Sequence, residues 1–256
     1  MMALASTHRR RSQSGNGWRT RRTDAAAFMK DEMIVETKRL SVLNNAVSLR
    51  RAAWLGRTLE KASSKFRFDV RPLGAAGTPD LADAETSQLL WDDVSSGKSD
   101  CALADLQHTV WPPPASVRVN AYLARVNPRY ALLHRTGIRL TELTAESHLA
   151  TSSELARVQL ASIKPDIEWV DLSGDLPARL HKLHLGQVDG VVEPASDLGA
   201  LGFGEDTIEF LSTDAALPSP GQGVWIVCCN AEREDFHADI EAMDDRKTRT
   251  CAQLEC

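Results

Sequence analysis

Hydrophobic and polar positions along the chain change period in a repeating order. The run RLSVL at 39–43 is strand-like. In the following NNAVSLRRAAWLGRTLEKA, Val47, Leu49, Ala53, Trp54 and Leu59 recur roughly at helical spacing, which predicts a strand and then a helix. FRFDVRPLG at 66–74 alternates apolar and polar residues and ends on Pro and Gly, a second strand. A helical pattern through SQLLWDDVSSG leads into the apolar run DCALADL, a third strand. This βαβαβ order predicts a parallel sheet with helices on its faces.

Three prolines at 112–114 interrupt the pattern, and VRVNAYLARVNPRYALLHR then gives two strand-like runs around the turn signal Asn127-Pro128. The same grammar returns. ATSSELARVQLASIKPD predicts a helix with Thr151 as N-cap and Glu154 closing a capping box. IEWVDL reads as a strand, LPARLHKLHLGQ as a helix closed by Gly186, and VDGVVEPA as another strand. After the turn PSPGQG comes a last strand, GVWIVCCN, and HADIEAMDDRKTRTCAQLEC predicts two helices separated at Asp244-Asp245.

At 256 residues and 43% hydrophobic content the chain can bury a core of two ordinary lobes, and no apolar window approaches the 18 residues of a membrane span. The five cysteines are odd in number and contain no CxxC pair, so neither a disulfide framework nor a zinc site is indicated and a reducing compartment fits. Residues 1–30 hold seven basic side chains against Asp24 alone, so the net charge of −5 conceals a markedly acidic remainder. Such a body repels nucleic acid, and no nucleic-acid or membrane partner is expected. The Arg-rich, Ser-containing N-terminus is of the kind that directs chains to mitochondria or plastids; read instead as a plain tail, it leaves the protein cytoplasmic.

Five segments, taken in order, carry a resemblance. GKSDCALAD is similar to "GExDIAVHS", ARVNPRYALL to "ERxDPRDAL", ATSSELARVQL to "GTSSLRRQAQL", LSGDLPARLHKL to "LRGNVxTRLxKL" and LPSPGQGVWIVC to "LPAPGQGALGIEC". These are motifs of porphobilinogen deaminase (hydroxymethylbilane synthase), the haem-pathway transferase family that joins four porphobilinogens into a linear tetrapyrrole. The resemblance implies an α/β fold of two periplasmic-binding-protein-like (type II) lobes with a cleft between them, plus a helical remnant of a third domain. On this reading residues 1–33 are a basic tail, 34–126 with the returning strand 224–231 form the first lobe, 127–217 the second, and 232–256 the remnant.

The same resemblance implies that the family's chemistry is depleted. Family members carry a dipyrromethane cofactor on a cysteine in a Gly-Gly-Cys loop; the chain ends at CAQLEC, before such a loop, so no cofactor is expected in it. In "HSxKDVP" the aspartate stabilises charge developing on pyrrole nitrogens, and this chain has ADLQHTV there. His108 falls at the aspartate position and Gln107 at the adjacent lysine, so no catalytic residue is retained. An imidazole, neutral or positive, is a poor substitute for a carboxylate that holds a cationic pyrrolenine. Asp105 keeps a carboxylate nearby, but a shift of three along the strand points it to the face opposite His108 and about a nanometre away along the chain.

Arginines that would bind the acetate and propionate groups fall at Leu43, Leu155, Ala156, Ser173 and Ala200. What remains is Arg179, Arg129, the helix start Thr151-Ser152-Ser153, and Gln222. Of these, Thr151, Ser152, Ser153, Arg179 and Gln222 are expected to bind one small anion. The "GKGLF" lid segment is replaced by the shorter GTPDLADAETSQLL, and Arg157 reads as a solvated helix residue. His181 and His184 lie three apart on one helix without a third ligand, so no metal is expected. The terminal helices, lacking the rest of their domain, are expected to be loosely held unless a protein partner covers them.

Three readings stay open at this point: a folded, catalytically degenerate family member with a retained small-anion or partner-binding role, an active hydroxymethylbilane synthase, and an incomplete gene model. Turnover is therefore undecided on sequence.

Overall fold

The computed structural model describes residues 35–63, 65–76, 84–233 and 237–256. The Arg-rich N-terminal tail, and residues 77–83 of the shortened lid segment, lie outside them.

The first half builds β1 (Glu36–Leu43), α1 (Ala46–Ala62), β2 (Phe66–Leu73), α2 (Ala84–Ser95), β3 (Cys101–Asp105) and β4 (Val117–Tyr122). The chain crosses over and continues as β5 (Tyr130–His134), β6 (His148–Thr151), α3 (Glu154–Ile163), β7 (Glu168–Trp169), α4 (Leu176–His184), β8 (Gly190–Pro194), α5 (Ala195–Ala200) and β9 (Glu209–Phe210). It returns as β10 (Trp225–Asn230) and ends in α6 (His237–Glu241) and α7 (Arg246–Glu255).

The strands form two five-stranded sheets, in the orders β2-β1-β3-β10-β4 and β7-β6-β8-β5-β9. In each, the first βαβαβ strands pair in parallel, and one antiparallel strand follows beside the third: β10 against β3, and β5 against β8. The two sheets thus share one topology, each completed by a strand adjoining the crossover. β10 pairs with β3 and β4, leaving sheet one discontinuous in sequence.

Burial follows the period of each element. On α1, Val47, Leu55 and Leu59 are buried, whereas Trp54, expected in the same apolar stripe, is 46% exposed; Asn45 caps the helix by accepting from the Ser48 amide at 2.8 Å. The helix packs against β1 and β2 and also touches α4 and α5 of the second half. One buried cluster accordingly runs through both halves, joining Leu40, Val42 and Leu55 to Leu133, Leu176, Val191 and Leu198. Cys101, Cys228 and Cys229 are buried free thiols within sheet one.

Two details depart from the sequence expectation. Helix α3 is capped by Ser153, not Thr151: Thr151 is still paired to Val192 in β6, and its hydroxyl instead accepts from the Ser153 amide at 3.1 Å, while Ser153 Oγ accepts from the Ala156 amide. The strand expected over IEWVDL is only the pair Glu168–Trp169.

The crossover is fixed by the PSPGQG turn. Gly221 and Gly223 have φ of 71° and 76°, and a Cβ on Gly223 would stand 2.9 Å from the Val126 carbonyl oxygen. Only glycine combines that backbone with that approach.

Candidate functional site

In sheets of this kind ligands gather beyond the carboxyl ends of the parallel strands. The third strands, β3 and β8, end in the two places where the expected site residues meet.

At the end of β3 the chain does not continue extended. Asp105 caps a single 3₁₀ turn, Leu106–His108, accepting from the Gln107 amide at 3.1 Å. Residues three apart eclipse in a 3₁₀ helix. Asp105 and His108 therefore stand side by side, with Oδ2 to Nδ1 at 3.4 Å, and both are mostly buried. The expectation that Asp105 points to the other face, a nanometre off, is corrected: it assumed a strand where the chain turns. His108 and a carboxylate share the mouth of the first half. The Gln107 amide is also close to the PSPGQG turn, since a Cβ on Gly221 would lie 3.2 Å from it.

At the end of β8 stands a residue that the sequence reading passed over. Glu193, 1% exposed, accepts from Arg179 through Nε at 2.7 Å and Nη2 at 3.0 Å, a fork-to-fork pair. Ser152 Oγ donates to the same carboxylate at 2.7 Å, and Arg179 Nη1 donates to the Gly174 carbonyl at 2.7 Å. The arginine and serine expected to hold a small anion thus hold the protein's own carboxylate. Arg179 is 4% exposed and does not face open solvent. The available signal was an acid set in an otherwise apolar strand, VVEPA.

The remaining expected ligand residues are also engaged. Ser153 Oγ lies 2.7 Å from the Tyr130 hydroxyl, which lies 3.0 Å from Ser219 Oγ. Gln222 is fully buried and clamps the crossover: its Nε2 donates to the Pro128 carbonyl at 2.5 Å and its Oε1 accepts from the Ser219 amide at 3.1 Å. Arg129 lies over the Phe210 ring at 4.6 Å. Structure therefore brings Ser152 and Arg179 together on Glu193, leaves Thr151 and Ser153 to the start of α3, and puts Gln222 in the crossover.

Of the weighed alternatives, Arg157 forms an exposed pair with Glu154 at 2.6 Å, which lowers the carboxyl's pKa and raises the guanidinium's. His181 and His184 are both exposed on α4. Among the described residues no group of three or more His, Cys, Asp or Glu is placed to hold a metal ion.

The terminal helices, expected to be loosely held, carry several polar contacts to the rest of the chain. Arg125, in the crossover, forks onto Glu255 at 2.5 and 3.0 Å, and the Gly221 amide donates to the same carboxylate at 2.9 Å. Asp244 accepts from the Tyr122 amide at 2.8 Å and pairs with Arg249, whose guanidinium lies over the Tyr122 ring. Burial works to raise the pKa of both carboxyls, but these hydrogen bonds and charges outweigh it and hold both below their ordinary values. These polar ties stand beside the apolar burial of Ile240 and Ala252, while Leu254 stays 84% exposed.

Residues 81–238 match the family described as "Porphobilinogen deaminase, dipyromethane cofactor binding domain". The chain belongs to the porphobilinogen deaminase family. Curated relatives include the porphobilinogen deaminases of Roseiflexus sp. (strain RS-1), 31% identical over 72% of this chain and 60% of the relative, and of Geotalea uraniireducens (strain Rf4), 25% identical over 87% and 72%. A third, from Caulobacter vibrioides (strain NA1000 / CB15N), is 32% identical over 75% of this chain and 58% of its own length. The chain thus spans only about three fifths of the Roseiflexus and Caulobacter relatives.

The fold is similar to that of CbnR, a LysR family transcriptional regulator, in its complex with target DNA (TM-score 0.53, 14% identity, 84% of this chain and 69% of that one). It is similar also to the methionine-binding protein MetQ (TM-score 0.50, 12% identity, 85% and 94%). At these identities the likeness concerns the two-lobed periplasmic-binding-protein-like architecture alone, and it agrees with the paired sheets described above.

Proposed function

We propose that this porphobilinogen deaminase family member is a folded, non-catalytic homologue that retains a binding role. The observation that carries the reading is the buried Arg179–Glu193 pair: the guanidinium best placed to receive a substrate carboxylate already holds an internal one. A free carboxylate would have to displace a partner held at negligible translational cost, an effective concentration that millimolar ligand does not match.

Three further features support it. His108 and Gln107 stand at the family's Asp and Lys positions, and the paired-arginine position is Leu155, an exposed apolar side chain, with Ala156 buried beside it. The Ser173 carbonyl, at a further arginine position, accepts from Lys182 Nζ at 2.9 Å. Residues of this chain do not fit a dipyrromethane cofactor, whose acetate and propionate groups call for several guanidinium forks.

One observation favours a second reading. Asp105 beside His108 leaves a carboxylate at the end of β3, from which an active hydroxymethylbilane synthase could draw charge stabilisation. A single experiment separates the two. The purified full chain is incubated with porphobilinogen, bound dipyrromethane is sought by intact mass and tetrapyrrole product by absorbance. The degenerate reading expects neither; product formation that Asp105→Asn abolishes would establish the second.

A further inference from the structure

Cys101 and Cys229 lie far apart in the chain and no short pattern links them, yet the return of β10 seats one against the other. They are directly opposite in the antiparallel pairing of β10 with β3. Side chains opposite one another in such a pair share a face. Both cysteines accordingly lie in one buried cluster, whereas Cys228 lies in the cluster on the other side of the sheet. Cys101 is fully buried and Cys229 is 1% exposed.

Their place in the ladder decides whether they can be joined. The Leu106 amide donates to the Val224 carbonyl at 2.9 Å and the Leu123 amide to the Trp225 carbonyl at 2.9 Å, so even-numbered residues of the returning segment turn their backbone groups to β3 and odd-numbered ones to β4. Cys229 and Cys101 therefore form a non-hydrogen-bonded pair, in which Cα atoms stand about 4.5 Å apart. Disulfides span Cα separations of about 4.4–6.8 Å, so the backbone is already within reach of one. In the reduced chain Cys101 Sγ donates to the Arg39 carbonyl at 3.9 Å. Burial raises the pKa of Cys101, and the adjoining Cys229 raises it further.

We propose that Cys101 and Cys229 are a redox pair, which a small disulfide such as oxidised glutathione converts to a cross-strand bridge as β10 docks on β3. The thiolate of one cysteine attacks the small disulfide, forming a mixed disulfide and releasing one thiolate. The other cysteine attacks the protein sulfur of that mixed disulfide and releases the second. The pair is oxidised, the small disulfide is reduced to two thiols, and the protons shed by the cysteines end on those thiols. The closed sheet disfavours the thiolate, so exchange belongs to the period before closure. The bridge closes a long loop and staples the strand that completes sheet one. It is separate from the Arg179–Glu193 pair and stands whether or not the chain turns over porphobilinogen.

The full chain is reduced, unfolded in urea and refolded by dilution into a mixture of oxidised and reduced glutathione, then alkylated and digested without reductant. A peptide joining Cys101 to Cys229 is expected, with Cys228 alkylated once the chain is unfolded. The urea midpoint of this form should lie above that of the reduced chain, and the same buffer should oxidise the already folded chain about tenfold more slowly or worse. Cys101→Ala and Cys229→Ala should each abolish the linkage, and Cys228→Ala should leave it; the peptide map of the parent decides the matter even where a variant refolds poorly. An all-thiol chain from a buffer that oxidises a control dithiol would overturn the pair. So would a dominant link through Cys228, Cys251 or Cys256, equally fast oxidation of the folded chain, or a midpoint no higher than that of the reduced form.

Discussion

The two sheets have the same strand order, yet the carboxylates at the ends of their matched third strands have opposite fates. Asp105 of β3 keeps some exposure and faces an imidazole at 3.4 Å. Glu193 of β8 is enclosed and held by a guanidinium fork and a serine hydroxyl. Topology decides that an acid may stand at the strand end. The neighbouring elements decide whether its charge is buried in the structure or left addressable: α4 delivers Arg179 to one, while a 3₁₀ turn sets His108 beside the other.

The comparison breaks most forcibly at Arg179. Arg179→Ala leaves Glu193 buried without its counter-charge and should cost about 3–5 kcal/mol in urea unfolding. If the pair is purely structural, replacing both partners at once, Arg179→Met with Glu193→Leu, should recover most of that loss, because a well-packed apolar pair removes both desolvation penalties. A double variant as unstable as the single one would mean that the pair organises more than its own surroundings.

Next in size is the clamp on the terminal segment, where Asp244 and Glu255 tie it to sheet one and to the crossover. Glu255→Gln should destabilise by about 1 kcal/mol, given its partial exposure, and should raise amide exchange in α7 before that of β3. The pH dependence has a definite sign. Asp244 and Glu255 have lowered pKa values in the folded chain, so their contribution is full above the ordinary carboxylate range and is lost as pH falls through the folded values. Helix α7 should therefore loosen in acid, and a helix whose exchange is indifferent to acid would contradict this account.

The smallest effect belongs to Asp105. Asp105→Asn keeps an oxygen to cap the 3₁₀ turn and removes the charge that faces His108 and Arg51, so stability at neutral pH should change by about 1 kcal/mol or less. A larger loss would show that this acid, like Glu193, is structural.

Much of the fold was legible because its signals are local. Alternation in FRFDVRPL, helical spacing from Val47 to Leu59 and the glycines of PSPGQG each report on their own few residues. The site was less so. Arg179 was visible as a retained arginine, but its partner lies 14 residues on, across a helix and into the next strand, and no short pattern links them. The placing of Asp105 failed for a different reason: a strand reading was carried one turn too far, and a single 3₁₀ turn converts opposite faces into neighbours.

The return of β10 also has a consequence for biosynthesis. In sheet one, β3 and β4 are not neighbours; β10 lies between them and bonds to both. A ribosome must therefore release residues up to Asn230 before that sheet can close, whereas every strand of the other lies between Tyr130 and Phe210. Domains usually fold in the order in which they emerge. Here the later half is able to finish first, and the earlier half waits with the edges of β3 and β4 unpaired, a period in which a chaperone would find strand edges to bind.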